Sequence, residues 1–241
     1  MNKHALSLSI GGLLAMAAGI GIGRLVYTPI LPPMVEALSL TKSQAGLIAS
    51  ANFLGYLAGA LLAAVRLPGS RRFWLLASLA VSAICLSGMG LTTTMPVFIA
   101  LRLVAGAASA FVLIFSSALV IDRLSAAGHS GLSAVHFAGV GVGIAVSAVV
   151  VAMLLHAGVA WTMLWFASAA FAAAGSLAVI WLVPPDETAA QTAQRPAGTR
   201  LSADFVALLL SYGLFGFGYV ITATFIVDMV RGTSALAHLE P

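Results

Sequence analysis

About seven apolar stretches follow one another along this chain, each near or above the roughly 20 residues a helix needs to cross a hydrocarbon core about 30 Å thick. They run approximately over Leu6–Ile30, Ser43–Val65, Phe73–Leu91, Pro96–Ile121, Gly131–His156, Trp161–Val183 and Asp204–Val230. Only 7% of the 241 residues are charged, against roughly 25% in soluble domains. So few ionised groups leave lipid, not water, to solvate the surface. The runs are long and continuous instead of ten-residue alternations, which selects helices over a β-barrel. The expected fold class is an all-α membrane protein. The first stretch begins after Lys3 like a signal peptide, but it continues past Ile22, beyond the roughly 7–15 apolar residues of a signal core. It reads as an uncleaved first span.

The connections give the organisation. Pro29, Pro32 and Pro33 are expected to end or kink the first helix, because proline lacks an N–H and clashes with the preceding turn. Thr41 or Ser43 is a candidate N-cap for the second helix. The longest polar segment follows Val183 and contains Pro184, Pro185, Asp186, Glu187, Arg195, Pro196 and Arg200. The chain therefore divides into a six-helix bundle over 1–183, a polar cytoplasmic central loop over 184–203, and a seventh helix with its tail over 204–241.

Charge placement sets an orientation. With the N-terminus inside, inner segments hold Lys3, Arg66, Arg71, Arg72, Arg123, Arg195 and Arg200, and outer segments hold Lys42 and Arg231. Arg24 and Arg102 complete the total of 11 basic residues. The bias toward one side predicts a cytoplasmic N-terminus and an external C-terminus. It also accounts for the net charge of +4 without a nucleic-acid partner.

Arg24 and Arg102 lie inside predicted spans. A guanidinium at a helix centre costs from about 2.5 to more than 10 kcal/mol, so it is expected to face a protein interior or a wet cavity. Helical spacing puts Thr28 on the face of Arg24, with Tyr27 beside it. Asn52 and Tyr56 are one turn apart in the second span, His136 lies in the fifth, and Tyr219 lies in the seventh. Arg24, Tyr27, Thr28, Asn52, Arg102, His136 and Tyr219 are the candidates for a solute cavity or its coupling, His136 as a proton relay or an interhelical hydrogen-bonder. Gly19 with Gly23, Gly55 with Gly59, and Gly139 with Gly143 form small-xxx-small pairs suited to close helix packing.

Other chemistries lack their residues. There is no GxxxxGK[ST] loop for nucleotide hydrolysis, no HExxH, no GxSxG and no paired intramembrane carboxylates. The single cysteine, Cys85, lies in an apolar run, and no Cys/His spacing suits zinc. Neither an enzyme nor a cofactor or metal is expected; the expected partners are the lipid bilayer and a small-molecule solute.

Six helices, a polar central loop and a following helix resemble the major facilitator superfamily, whose transporters join two six-helix halves. The stretch Phe98-Ile99-Ala100-Leu101-Arg102-Leu103-Val104-Ala105-Gly106 is similar to the RxxxG signature of its fourth helix. That resemblance implies that Arg102 borders the transport cavity and assists proton coupling, and it adds Gly106 to the packing glycines. Gly139-Val140-Gly141-Val142-Gly143 is similar to the glycine-rich antiporter motif, with Ile144 in the place of its proline. Arg66, Gly69, Arg71 and Arg72 are similar to the basic motif between helices two and three, which makes the three arginines gating-loop candidates. The acidic residue expected just before that motif is absent, Ala63, Ala64 and Val65 standing there. Gly21 to Pro32, His136 to Gly141 and Gly216 to Phe225 resemble the YbfB/YjiJ branch. The resemblance implies secondary active transport of a small solute in a bacterial inner membrane, by a partial chain comprising the first half plus one helix. Its missing half, or another membrane chain, would then be required. The alternative expectation is a transport-inactive, membrane-embedded scaffold.

Overall fold

The computed structural model describes residues 3–65, 67–185 and 202–231. All its regular elements are helices among the described residues: α1 (Lys3–Met16), a π-helical segment (Ala17–Ile22), α2 (Tyr27–Leu38), α3 (Lys42–Ala63), α4 (Arg71–Leu91), α5 (Met95–Ala126), a 3-10 turn (Ser130–Leu132), α6 (Ser133–His156), α7 (Trp161–Leu182) and α8 (Ala203–Arg231). The chain separates into two units, Met1–Asp186 and Glu187–Glu240. The first holds six stretches long and apolar enough to cross a membrane, with Lys3–Leu38 counted as one span. The second contains α8, 29 residues long, within which Ala203–Gly216 is a shorter apolar stretch.

Local chemistry sets the helix ends. Thr41, not Ser43, caps α3: its hydroxyl accepts from the Gln44 amide at 3.2 Å, and the Thr41 amide donates to Gln44 Oε1 at 2.8 Å. This reciprocal box satisfies two amides that a helix start otherwise leaves open. Ser70 Oγ accepts from the Phe73 amide to start α4, and Pro96 sits in the first turn of α5, where no amide is needed. Gly128 and Gly158, at φ of 72° and 71°, follow the ends of α5 and α6. There the amides of His129 and Val159 turn back to the carbonyls of Leu124 and Leu154.

The first span is the centre of its unit: 72% of its apolar window is buried, against 22–44% for the other five. The outer faces carry exposed Leu54, Leu57, Leu61, Ile84 and Met153, as lipid-solvated helices do. The inner faces are held together by close backbone approach. A Cβ on Gly55 would strike the carbonyl of Leu103, and one on Gly106 the carbonyl of Asn52, so α3 and α5 touch backbone to backbone. Gly139 and Gly143 of α6 meet the carbonyls of Leu13 and Ala17 in the same way, and Gly59 abuts Ala107.

The first span corrects the expected helix end. The prolines do not terminate it: α2 contains Pro32 and Pro33 and runs to Leu38, where Ser39 takes a left-handed conformation and its amide returns to Val35. The interruption lies upstream, at Gly23–Val26, after the π segment. A proline disrupts the turn before it, at the i−4 carbonyl, while Pro29 itself occupies the first turn of the resumed helix.

Candidate functional site

The break in the first span can be followed bond by bond. In a continuous helix the residue 29 amide would donate to the Leu25 carbonyl; Pro29 has no such amide. The Thr28 amide takes that carbonyl instead, at 3.2 Å. The Arg24 carbonyl, which the Thr28 amide does not take, accepts from Arg102 Nη2 of α5 at 3.2 Å. The Arg24 and Thr28 side chains are both half-buried and lie in the same segment.

Around this bond the structure assembles a polar layer. Arg102 is 3% exposed, with its guanidinium 4.8 Å from the centre of the Tyr27 ring. Tyr27 is fixed by donating its hydroxyl to the Ala45 carbonyl at 2.9 Å, and its ring lies 6.4 Å from that of Trp165. Asn52 Nδ2 donates to the Arg102 carbonyl at 3.0 Å, tying α3 to α5 beside the arginine. The Arg24 guanidinium lies over two rings of α3, 4.2 Å from Tyr56 and 4.7 Å from Phe53. Such cation–π contacts contribute about 0.5–2 kcal/mol each, a partial offset to the desolvation of the charge.

Not everything here is satisfied within the described residues. Arg102 Nε and Nη1, Ser82 Oγ, Trp165 Nε1 and Asn52 Oδ1 are buried without hydrogen-bond partners. Ser82 lies against Gly23, where a methyl group would meet its hydroxyl. Buried polar groups left open in this way mark places where water or a ligand completes the bonding.

Of the residues singled out from sequence, Arg24, Tyr27, Asn52 and Arg102 therefore come together, with Thr28 in the same segment. His136 does not join them. It is fully buried beside Gly12, its Nε2 3.2 Å from Ser117 Oγ. Ser117 is 15 residues from Arg102 along α5, about 22 Å at helical rise. Tyr219 belongs to α8 in the second unit, where its ring stacks on Phe215. Gly19 faces Val112 and Gly23 faces Ser82, so this pair contacts two different helices.

The basic cluster occupies the other end of α5. Arg71 pairs with Asp122 at 2.8 Å, which supplies a carboxylate that sequence adjacency did not reveal. Arg72 donates to the carbonyls of Ile180 and Val183 at the end of α7, at 2.7 and 2.8 Å. Arg123 binds the carbonyls of Pro184 and Pro185. Arg66 lies outside the described residues. Two cavities of about 380 and 370 Å³ open at this end, the first bordered by Arg72 and Pro185, the second by His4, Arg123 and Trp181. Both are grooves flanking the end of α7, remote from the Arg102 layer, whose polarity is the better guide to function.

Phe53, Ser82, Trp165 and Asp122 were not anticipated. Phe53 and Tyr56 share an i, i+3 spacing that could have flagged an aromatic seat; Trp165 and Asp122 become relevant only through tertiary packing.

The family model described as "Uncharacterised MFS-type transporter YbfB" matches residues 16–240. A search of curated proteins returns no match.

Proposed function

The chain belongs to the YbfB family of MFS-type transporters, and from that premise we propose that it moves a small solute by alternating access, with the Arg24–Arg102 layer as a wall of the solute pathway. The observation that carries this reading is Arg102 itself. A guanidinium 3% exposed, with two N–H groups unpartnered among the described residues, is a costly feature inside a membrane protein. An interaction with a passing solute gives it a use.

The surrounding architecture supports movement. The first span is interrupted where it meets Arg102, and glycine-lined contacts join α1 to α6 and α3 to α5. Smooth backbone-on-backbone faces of this kind can shift without disengaging long side chains. Arg71, Arg72 and Arg123 serve in this reading as a gate at one end, tying α4 and α5 to the end of α7. Proton coupling is assigned to Arg102 and His136, the latter as the relay. A bacterial inner membrane is the location the family resemblance implies, and the charge bias supports a cytoplasmic N-terminus and an external C-terminus.

The test is uptake of a panel of radiolabelled solutes into proteoliposomes containing the chain, with and without an imposed pH gradient. Uptake above that of protein-free vesicles is expected, with stimulation by the gradient. Absence of uptake across neutral, cationic and anionic solutes would favour a transport-inactive scaffold instead.

A further inference from the structure

We propose that the Arg102 layer binds a small organic anion, its acidic group on Arg102 and its apolar body against the rings of Tyr27 and Trp165. The inference rests on the transport reading and adds a substrate class to it.

Three observations carry it. First, the unsatisfied groups are mostly donors. Arg102 contributes Nε and Nη1, Trp165 contributes Nε1, and Ser82 contributes a hydroxyl, against one open acceptor at Asn52 Oδ1. A ligand rich in acceptors fits this surplus, and a cation or a donor-rich neutral solute does not.

Second, among the described residues of the first unit no carboxylate reaches Arg102. Within residues 3–185 the acidic side chains are Glu36 and Asp122. Asp122 is held by Arg71, 20 residues from Arg102 along α5 and so about 30 Å away. Glu36 is exposed near the end of α2. The ionisable groups beside Arg102 are a second cation, Arg24, and the weakly acidic Tyr27 and Cys85, with no carboxylate among them. A buried positive charge without a protein counter-ion is stabilised by a ligand that brings one.

Third, the walls are aromatic. Tyr27 is 2% exposed and Trp165 is fully buried, with their rings 6.4 Å apart. Arg102 rests on the Tyr27 face at 4.8 Å. This lining suits a flat or compact apolar body attached to the acidic group.

The experiment is equilibrium dialysis of the purified full chain against three radiolabelled probes of similar shape: benzenesulfonate, neutral benzenesulfonamide and cationic benzylamine. The structure predicts that benzenesulfonate binds at least about tenfold tighter than the other two, the scale of one charge-assisted hydrogen bond. Arg102→Gln removes that preference, and Arg102→Lys, which keeps the charge without the planar fork, retains it at weaker affinity. Equal binding of the neutral probe, binding of none of the three, or an undiminished preference in folded Arg102→Gln overturns the inference. Should Arg102→Gln fail to fold, the comparison of the three probes on the wild-type chain decides alone. Flux through proteoliposomes separates the two readings: Arg102-dependent anion binding without flux of any solute sustains this site and removes the transport reading, whereas flux of a neutral solute with no anion preference does the reverse.

Discussion

Arg102 donates through Nη2 to the backbone carbonyl of Arg24, 3.2 Å away; the Thr28 amide, which a regular helix would direct to that carbonyl, goes to Leu25 instead, because Pro29 has no amide hydrogen to give there. A buried cation on one helix is thus bonded to an interruption in another, and the interruption follows from a single imino acid. The same few residues set the local backbone, seat the guanidinium and orient Tyr27 beneath it.

Replacing Pro29 with alanine restores the missing donor. The expected outcome is a regular helix through Arg24–Thr28, with the Arg24 carbonyl withdrawn from Arg102. Hydrogen exchange of the peptide covering residues 23–30 is predicted to slow in Pro29→Ala, because its amides regain i→i−4 acceptors. Exchange as fast as in the wild type would mean that Pro29 does not cause the break.

The glycines divide into two groups with opposite expected responses. Gly55→Ala and Gly106→Ala drive a methyl into backbone carbonyls across the α3–α5 interface and are predicted to destabilise by about 1–3 kcal/mol, the usual cost of overpacking. Nothing lies within 4 Å of a Cβ built on Gly141, so Gly141→Ala is predicted to be neutral or to stabilise by up to about 1 kcal/mol through helix propensity. Unfolding in detergent micelles measures both, and similar shifts for the two groups would contradict the assigned packing.

At the opposite end, adjacent arginines are predicted to differ. Arg71 and its partner Asp122 are 42% and 66% exposed, so a double-mutant cycle with Arg71→Gln and Asp122→Asn is expected to give a coupling below about 1 kcal/mol. Arg72 satisfies two carbonyls at the end of α7, and Arg72→Ala is expected to cost about 1.5–3 kcal/mol, as hydrogen bonds to charged groups do. Equal effects would show that the distinction between screened pair and helix cap is wrong.

His136 contacts Ser117 through Nε2. Ser117→Ala removes this partner from a buried ring and is predicted to lower stability by about 1–3 kcal/mol. If His136 also relays protons, the same variant alters the response of uptake to a pH gradient; a change in stability alone would restrict His136 to holding α6 against α5.

Much of the fold was legible because lipid imposes its own length and polarity on a helix: the spans over Phe73–Leu91 and Trp161–Val183 were read from the chain to within two residues of α4 and α7. The first span was harder. Its apolar run does not record hydrogen-bond register, and the prolines at 29, 32 and 33 mark a disruption one turn downstream of where it occurs. Arg24 and Arg102 stood out individually, since charge inside an apolar run is conspicuous. Their juxtaposition, and the arrival of Trp165 and Ser82 beside them, depend on packing between helices far apart in the sequence. Asp122 shows the same limit: the carboxylate missing beside Arg66 is provided 51 residues after Arg71.

The central claim is that solute movement passes through the interaction of Arg102 with its layer. It is tested most directly by the initial rate of solute uptake into proteoliposomes carrying matched amounts of folded wild-type and Arg102→Gln protein. The account predicts a fall of at least about tenfold in the variant, the equivalent of about 1.4 kcal/mol. Equal rates in the two preparations would contradict it.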